Sequence, residues 1–389
     1  MASDKSQKPS LGEELTLTID RLAYHSGHGV ARHNGFVVFV PYTAPGDSVL
    51  AKINQLHASY GEARIVKLLK SGPERRKPPC PVAGQCGGCQ WQQVNYPEQL
   101  RQKQRLLSEA LRRLSPEGNL PLHDLIPAPE EFHYRNRIQL HRHGETLGYY
   151  AQGSREFVAI EDCWIAEKVL VQNFPALRAR AQSSAETQER IEIARLKNGQ
   201  VQLRPTGQAA NSALFSQVHE AQNQTLIKIV QKAVAGRNFD QILDLYCGSG
   251  NLTFPLAQAL PKAQVTGVEL SREMIREAQQ ESAQNPNQRP ISWVAQSVGP
   301  FLRQFRRQDK LLVVLDPPRP GCDVVTREAL LRLRPEQIVY VSCNPTTLAR
   351  DLEFLLKNAA YTIESVQGLD MFPQTAHLEV VVSLIAPSR

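Results

Sequence analysis

Two polar motifs follow runs of apolar residues, and a third motif leads into such a run. They are Asp316-Pro-Pro-Arg-Pro-Gly321, Val341-Ser-Cys-Asn-Pro345 and Leu369-Asp-Met-Phe-Pro-Gln-Thr-Ala-His-Leu-Glu379. Taken singly, Cys343 is typical of a small buried hydrophobe, Asp316 of a helix cap and Glu379 of half an ion pair. Ligands of open α/β sheets bind outside the carboxyl ends of the strands. A thiol and two carboxylates at such ends have the residue types of a nucleophile and a general base.

A glycine turn marks a second candidate site. Ile242-Leu-Asp-Leu-Tyr-Cys-Gly-Ser-Gly-Asn251 has the pattern of a strand that runs through a turn into a helix. Gly248 and Gly250 let the backbone approach a ligand, and Glu269 is placed to accept hydrogen bonds from ribose hydroxyls. Thr253 stands where a dinucleotide site has its third glycine, which argues against NAD. The shorter turn resembles the S-adenosylmethionine loop of Rossmann-like methyltransferases. A turn without a ligand remains the alternative.

Three of the seven cysteines lie close together in the sequence. Cys80, Cys86 and Cys89 occupy a loop rich in glycine and proline. Three thiols within ten residues indicate a metal ion or an iron–sulfur cluster in a cytosolic chain. The candidates for a fourth ligand are Cys163, Cys247, Cys322 and Cys343. Zinc is the rival of a [4Fe–4S] cluster, because spacing alone does not separate them.

Composition restricts the class of protein. Apolar residues make up 41% and charged residues 21% of the 389 residues, which excludes a disordered or fibrous chain. A net charge of +7 favours a polyanionic partner. The odd, low number of cysteines and the polar amino terminus fit a cytoplasmic protein better than a secreted one. The apolar runs are too short to span a bilayer, so we expect no membrane association, and we expect a monomer.

Three domains are expected from the pattern of elements. Residues 11–72 have short strands separated by turns, which predicts an OB-like β-barrel. Residues 73–215 hold the cysteine loop, an amphipathic helix at about 97–114 and further strands, so we expect a central α+β domain. Residues 216–389 alternate helix and strand, which predicts a doubly wound α/β sheet. The helical pattern near 165–185 is rich in alanine.

The strand-end motifs together resemble those of the RNA uracil-5 methyltransferase family. The matching residues are Asp316-Pro-Pro-Arg-x-Gly321, Tyr340-x-Ser-Cys-Asn-x-x-Thr347 and Leu369-Asp-x-Phe-Pro-Gln-Thr-x-His-Leu-Glu379. The barrel resembles a TRAM domain, and the cysteines resemble the iron–sulfur ligands of one branch of that family, with Cys163 at the fourth position. The resemblance implies a C-terminal Rossmann-like S-adenosylmethionine-dependent domain and a [4Fe–4S] cluster held by Cys80, Cys86, Cys89 and Cys163.

The resemblance also implies roles for individual residues. Cys343 is expected to be the nucleophile that adds to uracil C6, and Glu379 the base that removes the C5 proton. The positions implied to contact the cofactor are Gln217, Tyr246, Asn251, Glu269, Gln296 and Asp316. Arg135 matches a segment near the target base. Basic runs at 67–77 and 133–143 are further candidates for RNA contact, although such runs are usually solvated faces.

The expected function is methylation of uridine C5 in structured RNA. Members with both barrel and cluster mostly act on 23S ribosomal RNA, which is the favoured substrate, and uridine 54 of transfer RNA is the alternative. A non-catalytic RNA-binding module is a rival from another class. A protein amide methyltransferase is a second rival, but that class uses Asn-Pro-Pro-Tyr where this chain has Asp316-Pro-Pro-Arg319.

Overall fold

The structure is a computed structural model that describes residues 8–24, 26–115, 117–179, 188–196, 198–205, 217–284, 289–307 and 310–387. The chain forms two compact units. The first contains Met1–Leu106, Glu130–Gln208 and Phe372–His377, and the second contains Leu107–Pro129, Ala209–Met371 and Leu378–Arg389. In the described part of the chain, no helix has the length and apolar character needed to cross a membrane.

The first unit begins with a six-stranded sheet. Its strands are β1 (Glu14–Thr18), β2 (Arg21–Leu22), β3 (Gly29–His33), β4 (Phe36–Val40), β5 (Ser48–Leu56) and β6 (Tyr60–Lys70). They are ordered β1-β5-β6-β4-β3-β2, and all pairs are antiparallel except β4 with β6. Burial alternates along β1, β4 and the start of β5, so one face of each strand packs into a common core. The sequence predicted short strands separated by turns, and the two-residue β2 is too short to show an alternating pattern.

A second sheet of the first unit follows a helix. Helix α1 (Tyr96–Leu111) and a 3₁₀ turn (Arg112–Leu114) match the predicted amphipathic segment. The sheet has the order β11-β10-β7-β8-β9, with strands β7 (Arg137–His143), β8 (Thr146–Tyr150), β9 (Phe157–Ala159), β10 (Gln188–Arg195) and β11 (Val201–Pro205). The predicted helical stretch near 165–185 contains two short helices, α2 (Lys168–Val171) and α3 (Phe174–Ala179), and its residues 180–185 lie outside the described ranges.

The second unit contains a seven-stranded sheet with helices between its strands. The strands are β12 (Gln241–Leu245), β13 (Gln264–Glu269), β14 (Ser292–Ala295), β15 (Leu311–Leu315), β16 (Gln337–Ser342), β17 (Thr362–Leu369) and β18 (Glu379–Ile385). The helices are α4 (Glu220–Val234), α5 (Thr253–Ala259), α6 (Arg272–Ala283), α7 (Val298–Gln304), α8 (Val324–Leu333) and α9 (Pro345–Ala359). The strand order is β14-β13-β12-β15-β16-β18-β17.

Strand direction decides which side chains meet at one edge of this sheet. β12 to β16 are mutually parallel where they pair, and β12, β15 and β16 are buried along their whole length, as in a sheet covered on both faces. β18 is antiparallel to both β16 and β17. The start of β18 therefore lies at the edge where β15 and β16 end. The predicted doubly wound sheet is confirmed. The sequence did not predict β17, because polar residues interrupt its apolar pattern.

Helix caps follow directly from the strand-end motifs. Asn344 caps α9 by accepting a hydrogen bond from the Thr346 amide at 3.1 Å, and Pro345 takes the first helical position, where no amide hydrogen is needed. Asp323 caps α8 in the same way through the Thr326 amide at 2.7 Å. These caps fix where α8 and α9 begin. They therefore restrain the segments that connect β15 to α8 and β16 to α9.

Candidate active site and cysteine cavity

Cys343 directly follows strand β16, and Glu379 is the first residue of strand β18, which pairs with β16. The register of β16 with β18 pairs Ser342 with Val380. Continued by one residue, that register sets Cys343 opposite Glu379, and directly opposed residues have Cβ atoms about 4.5–5.5 Å apart. Asp316 directly follows the neighbouring strand β15, and its amide donates to the Leu245 carbonyl of β12 at 3.3 Å. The sheet thus brings one thiol and two carboxylates to a single edge.

Burial and mutual repulsion disfavour the ionised forms of these groups. Burial raises the pKa of Cys343 to about 11, with added repulsion from Glu379 and Asp316 and an opposing effect of the Arg319 guanidinium. Burial also raises the pKa of Glu379 well above its usual value; Asp316 adds to this rise and Arg319 opposes it. The pKa of Asp316 rises to about 7 through burial. A cation bound among these groups would favour the thiolate and the carboxylates.

The loop that carries Arg319 is held by helix α9. Asn344 Nδ2 and Thr347 Oγ1 each donate to the Arg319 carbonyl at 3.1 Å. Arg350 Nη2 donates to the Pro320 carbonyl at 2.8 Å. These hydrogen bonds fix the backbone just before Gly321, so Arg319 projects from a constrained loop.

A buried carboxylate completes that support. Asp351 is 0% exposed, and its Oδ2 accepts from the Cys322 amide at 2.8 Å and from the Tyr340 hydroxyl at 2.7 Å. Gly321 has φ 77°, and a Cβ there would lie 2.5 Å from Asp351 Oδ2. Only glycine satisfies both the left-handed backbone and this contact. Sequence reasoning missed Asp351, which carries no local signal, and it named Arg319 only as part of a motif.

The glycine turn has the conformation that a close ligand requires. Gly248 and Gly250 have φ 56° and 95°, and Tyr246 shares this left-handed region with φ 62°. A non-glycine residue held there stores strain of about 1–3 kcal/mol, which is typical of ligand sites. Beneath the turn, Asp244 is 0% exposed and accepts a hydrogen bond from Thr253 Oγ1 at 2.5 Å. Burial raises the pKa of Asp244 to about 7.

The other residues expected at the cofactor lie around this turn. Glu269 ends β13, and its carboxylate accepts from the amides of Gly248 at 3.3 Å and Ser271 at 2.9 Å. The Gln296 amide donates to the Glu269 carbonyl at 2.9 Å, so Gln296 lies beside it. Asn251 exchanges two amide hydrogen bonds, of 2.8 and 2.9 Å, with Asn223 of α4, a partner that no motif indicated.

Two residues remain to be described: Gln217, which is expected to contact the cofactor, and Leu270, which no motif indicated. Gln217 lies just before α4 and is half-buried. Leu270 follows Glu269 directly and is 70% exposed, a large value for a leucine in this unit. Sequence reasoning did not single it out. An exposed apolar side chain next to Glu269, the acid expected to bind ribose, provides a surface on which a flat, apolar ligand face can pack.

The four cysteines assigned to a cluster line one small cavity. Cys80, Cys86, Cys89 and Cys163 all border a space of about 50 Å³ in the first unit. The Gly88 amide donates to Cys86 Sγ at 3.4 Å, and Tyr149 Oη lies 3.6 Å from Cys163 Sγ. Burial is the main cause that raises the pKa of each thiol, to about 11 for Cys86, and the thiolates repel one another. A positively charged group between them would offset both effects.

The arrangement of these thiols bears on what they can hold. Within the described ranges, no group of three or more His, Cys, Asp or Glu side chains is placed to hold one metal ion. A zinc ion needs four ligands within about 2.0–2.3 Å of one point. A [4Fe–4S] cluster takes one thiolate on each of its four irons, so its ligands stand further apart. The four cysteines that border the cavity have the number and type of the ligands that such a cluster takes.

Arg135 lies at this cysteine cavity. It lines the cavity, its Nε donates to the Arg137 carbonyl at 3.1 Å, and its charge opposes in small part the burial that raises the pKa of Cys163. Several residues of the basic runs are likewise engaged within the first unit. Arg75 pairs with the buried Asp47 at 2.6 Å, and Arg76 with Glu131 at 2.8 Å. Lys67, Lys70 and Lys77 are exposed and keep their charges toward solvent.

Comparison with known proteins agrees with this geometry. Residues 196–386 match the family model described as tRNA (Uracil-5-)-methyltransferase, and residues 10–66 match the TRAM domain. An uncharacterized RNA methyltransferase of Bdellovibrio bacteriovorus is 35% identical over 385 residues, 97% of each chain. An uncharacterized RNA methyltransferase of Aquifex aeolicus is 32% identical over 423 residues, 95% of this chain and 98% of the other.

A solved structure shares the fold. Pyrococcus abyssi tRNA (uracil-54, C5)-methyltransferase, in complex with S-adenosyl-L-homocysteine, matches with a TM-score of 0.74 and 23% identity. The match covers 95% of this chain and 100% of that one. The predicted fold class, an N-terminal TRAM barrel with a C-terminal Rossmann-like methyltransferase domain, is confirmed. The chain belongs to the RNA uracil-5 methyltransferase family and is an S-adenosylmethionine-dependent enzyme of that class.

Proposed function

We propose that this enzyme methylates C5 of a uridine in 23S ribosomal RNA through a covalent adduct between Cys343 Sγ and uracil C6. C5 of uracil is a poor nucleophile. Addition of the Cys343 thiolate to C6 moves the electrons of the C5–C6 double bond onto the C4 carbonyl oxygen, and the enolate makes C5 nucleophilic. S-adenosylmethionine, when bound, supplies the electrophilic methyl group, and its sulfonium leaves as a neutral thioether.

The adduct is resolved by elimination. After methyl transfer, C5 carries both a methyl group and a hydrogen. Glu379 takes that proton, the C5–C6 double bond re-forms, and the Cys343 Sγ–C6 bond breaks. The observation that carries this proposal is the opposition of Cys343 and Glu379 across β16 and β18. A base directly across from the nucleophile suits a substrate whose reacting carbons are adjacent atoms.

Arg319 and Asp316 have supporting roles in this proposal. Burial raises the pKa of Cys343 and of Glu379, and the Arg319 guanidinium opposes this rise, so it favours the thiolate that attacks and the carboxylate that accepts the proton. Asp316 is proposed to face the sulfonium. Gln217, Tyr246, Asn251, Glu269 and Gln296 are proposed to hold the rest of the cofactor. A folded RNA must present the target base extruded from its stack, because the reacting groups lie at a strand-end edge.

The choice between RNA classes rests on two different supports. The combination of barrel and cysteine loop favours 23S ribosomal RNA. Uridine 54 of transfer RNA is the second candidate, because the Pyrococcus enzyme of the same fold is titled a tRNA (uracil-54, C5)-methyltransferase. The domain bounds 11–72, 73–215 and 216–389, a monomeric state and a cytoplasmic location remain predictions.

Methyl transfer into RNA lacking 5-methyluridine tests the proposal. Wild type and Cys343→Ala are incubated side by side with labelled S-adenosylmethionine and separated ribosomal and transfer RNA. Nucleoside analysis should find label in 5-methyluridine of ribosomal RNA with wild type only. Label in transfer RNA alone would favour the second candidate. Binding of both RNAs without label would favour a non-catalytic binding module.

The cysteine cavity is proposed to hold a [4Fe–4S] cluster with Cys80, Cys86, Cys89 and Cys163 as ligands. Its support is the common cavity that the four thiols line. The cluster would stabilise the surrounding segments, and no step of methyl transfer needs it. Anaerobic reconstitution should give about four irons and four sulfides per chain in wild type and in Cys247→Ala. Cys163→Ser should lose most of both, and one zinc per chain without sulfide would contradict the assignment.

A further inference from the structure

The first unit contains a second, larger cavity that the proposed reaction does not use. Its volume is about 470 Å³, within the range of about 300–1,000 Å³ typical of sites for small organic groups. The walls come from strands β5 and β6, from the cysteine loop, and from residues 151–153 after β8. All lining residues belong to the first unit.

Carboxamide side chains dominate the chemistry of this cavity. Five of them line it: Asn54, Gln55, Gln85, Gln90 and Gln152. A carboxamide presents a donor and an acceptor side by side, which matches the edge of a nucleobase. Within the part of the chain that the structure describes, the side chains of Asn54, Gln55 and Gln85 make no hydrogen bond, so their donors and acceptors are available to a ligand.

The charges around the cavity favour a neutral ligand group. Glu62 and Arg64 both line it and offset each other. His28 also lines it, and burial lowers the pKa of His28, which favours the neutral imidazole. A phosphate site needs an excess of positive charge, which this lining lacks. A neutral heteroaromatic base fits the donors, acceptors and charge balance.

The walls are held in place before any ligand arrives. Gln152 Nε2 donates to the Ser26 carbonyl at 2.8 Å, and the Gly87 amide donates to the Tyr150 carbonyl at 3.0 Å. Tyr42 has φ 57°, and its ring lies so close to Gly84 that a Cβ at position 84 would be 2.9 Å from ring atoms. A preformed cavity loses little conformational entropy on binding, so contacts within it translate into affinity.

We infer that this cavity binds one unpaired nucleobase of the RNA and reads its edge through carboxamides of β5 and the cysteine loop. The inference rests on RNA being the substrate, as in the proposed function. It assigns to the first unit a base-specific contact, separate from the target uridine. Unpaired bases are the usual elements by which proteins recognise RNA sequence.

Binding of homopolymer RNAs tests this inference. The variant Asn54→Ala/Gln55→Ala removes two exposed carboxamides from β5, and Gln172→Ala/Gln200→Ala removes two exposed carboxamides outside the cavity. Dissociation constants for fluorescein-labelled rA12, rC12 and rU12 are measured by anisotropy at several KCl concentrations. Circular dichroism and thermal unfolding of each holoprotein verify that the fold persists.

The expected result is a base-dependent loss. Asn54→Ala/Gln55→Ala should weaken binding of one homopolymer about 10- to 100-fold, as expected for lost base contacts, and of the other two less than threefold. The slope of log Kd against log salt should not change, because no phosphate contact is lost. The control variant should match wild type.

Other results overturn the inference. They are an equal or absent loss for all three RNAs, a reduced salt slope, or a wild type that does not distinguish the homopolymers. Methyl transfer by the same preparations reports on the proposed function separately. A base-dependent loss without methyl transfer would reject the proposed reaction and keep this site, and methyl transfer with uniform binding would do the reverse.

Discussion

Replacing Gly321 by alanine tests how the Arg319 loop is held. The residue has φ 77°, and the new Cβ would lie 2.5 Å from Asp351 Oδ2 and 2.8 Å from Arg350 Nη2. Both of these groups support the loop, through the Cys322 amide and the Pro320 carbonyl. The substitution therefore adds backbone strain and also displaces the buried carboxylate.

The magnitude follows from these two effects. A left-handed alanine costs about 1–2 kcal/mol. Loss of one hydrogen bond to a charged, buried group costs about 1.5–3 kcal/mol. Gly321→Ala should thus lower the free energy of unfolding by about 2.5–5 kcal/mol. Gly236 provides a matched control, because its φ is 72° and nothing lies within 4 Å of its Cβ position. Gly236→Ala should cost the backbone part alone, about 1–2 kcal/mol.

Urea unfolding of the two variants, followed by circular dichroism, measures the difference. Gly321→Ala should unfold at a lower urea concentration than Gly236→Ala, and it alone should lose methyl transfer activity in its folded form. Equal midpoints for the two variants would refute the argument, since the Asp351 contact would then contribute nothing to the loop. A folded Gly321→Ala variant with normal activity would show that the position of Arg319 does not depend on this loop.

Three further predictions concern charge. Asp244 has a pKa of about 7 against a usual 3.8, so the native state holds its proton more strongly than the unfolded chain, and stability falls as pH rises across this range. Asp244→Asn should therefore raise the free energy of unfolding by up to about 4 kcal/mol at pH 8 and by little at pH 4. Urea midpoints at the two pH values measure this gain in stability. A gain that does not change with pH would contradict the assignment of the raised pKa. Arg319→Gln should move the rising limb of the pH–rate profile by about one unit to higher pH, while Arg319→Lys restores it; an unchanged midpoint argues against its electrostatic role. Burial raises the pKa of Asp316 to about 7, so its carboxylate becomes charged between pH 6 and 8. Over this range, calorimetry should find that the ratio of the affinity for S-adenosylmethionine to that for S-adenosylhomocysteine rises about tenfold. A constant ratio would show that the sulfonium does not lie beside Asp316.

The sequence predicts the strand-end groups of the site well, for a physical reason. Parallel strands bring their carboxyl ends to one edge, so motifs at those ends, such as those of Asp316 and Cys343, meet whatever their separation in sequence. Glu379 meets them because β18 runs the opposite way and starts at that edge. The pattern of apolar runs indicates most of these strands, but it indicates neither β17 nor the antiparallel direction of β18.

Other contacts have no local signal. Asp351 reaches the Cys322 amide from helix α9, and Asn223 pairs with Asn251 from helix α4, through packing that no spacing rule specifies. Arg135 belongs to a basic run, yet it lines the cysteine cavity because its backbone pairs with the segment after Cys163. Carboxamides such as Asn54 and Gln152 come together only once the sheets are folded.

Accumulation of a covalent RNA adduct tests the central claim most directly. Glu379→Gln is incubated with S-adenosylmethionine and RNA lacking 5-methyluridine, then denatured and analysed by mass spectrometry. The mechanism predicts an adduct that survives denaturation, joins Cys343 Sγ to a methylated uridine, and is absent from Cys343→Ala/Glu379→Gln. Formation of 5-methyluridine by Cys343→Ala, or an adduct in the double variant, would contradict it.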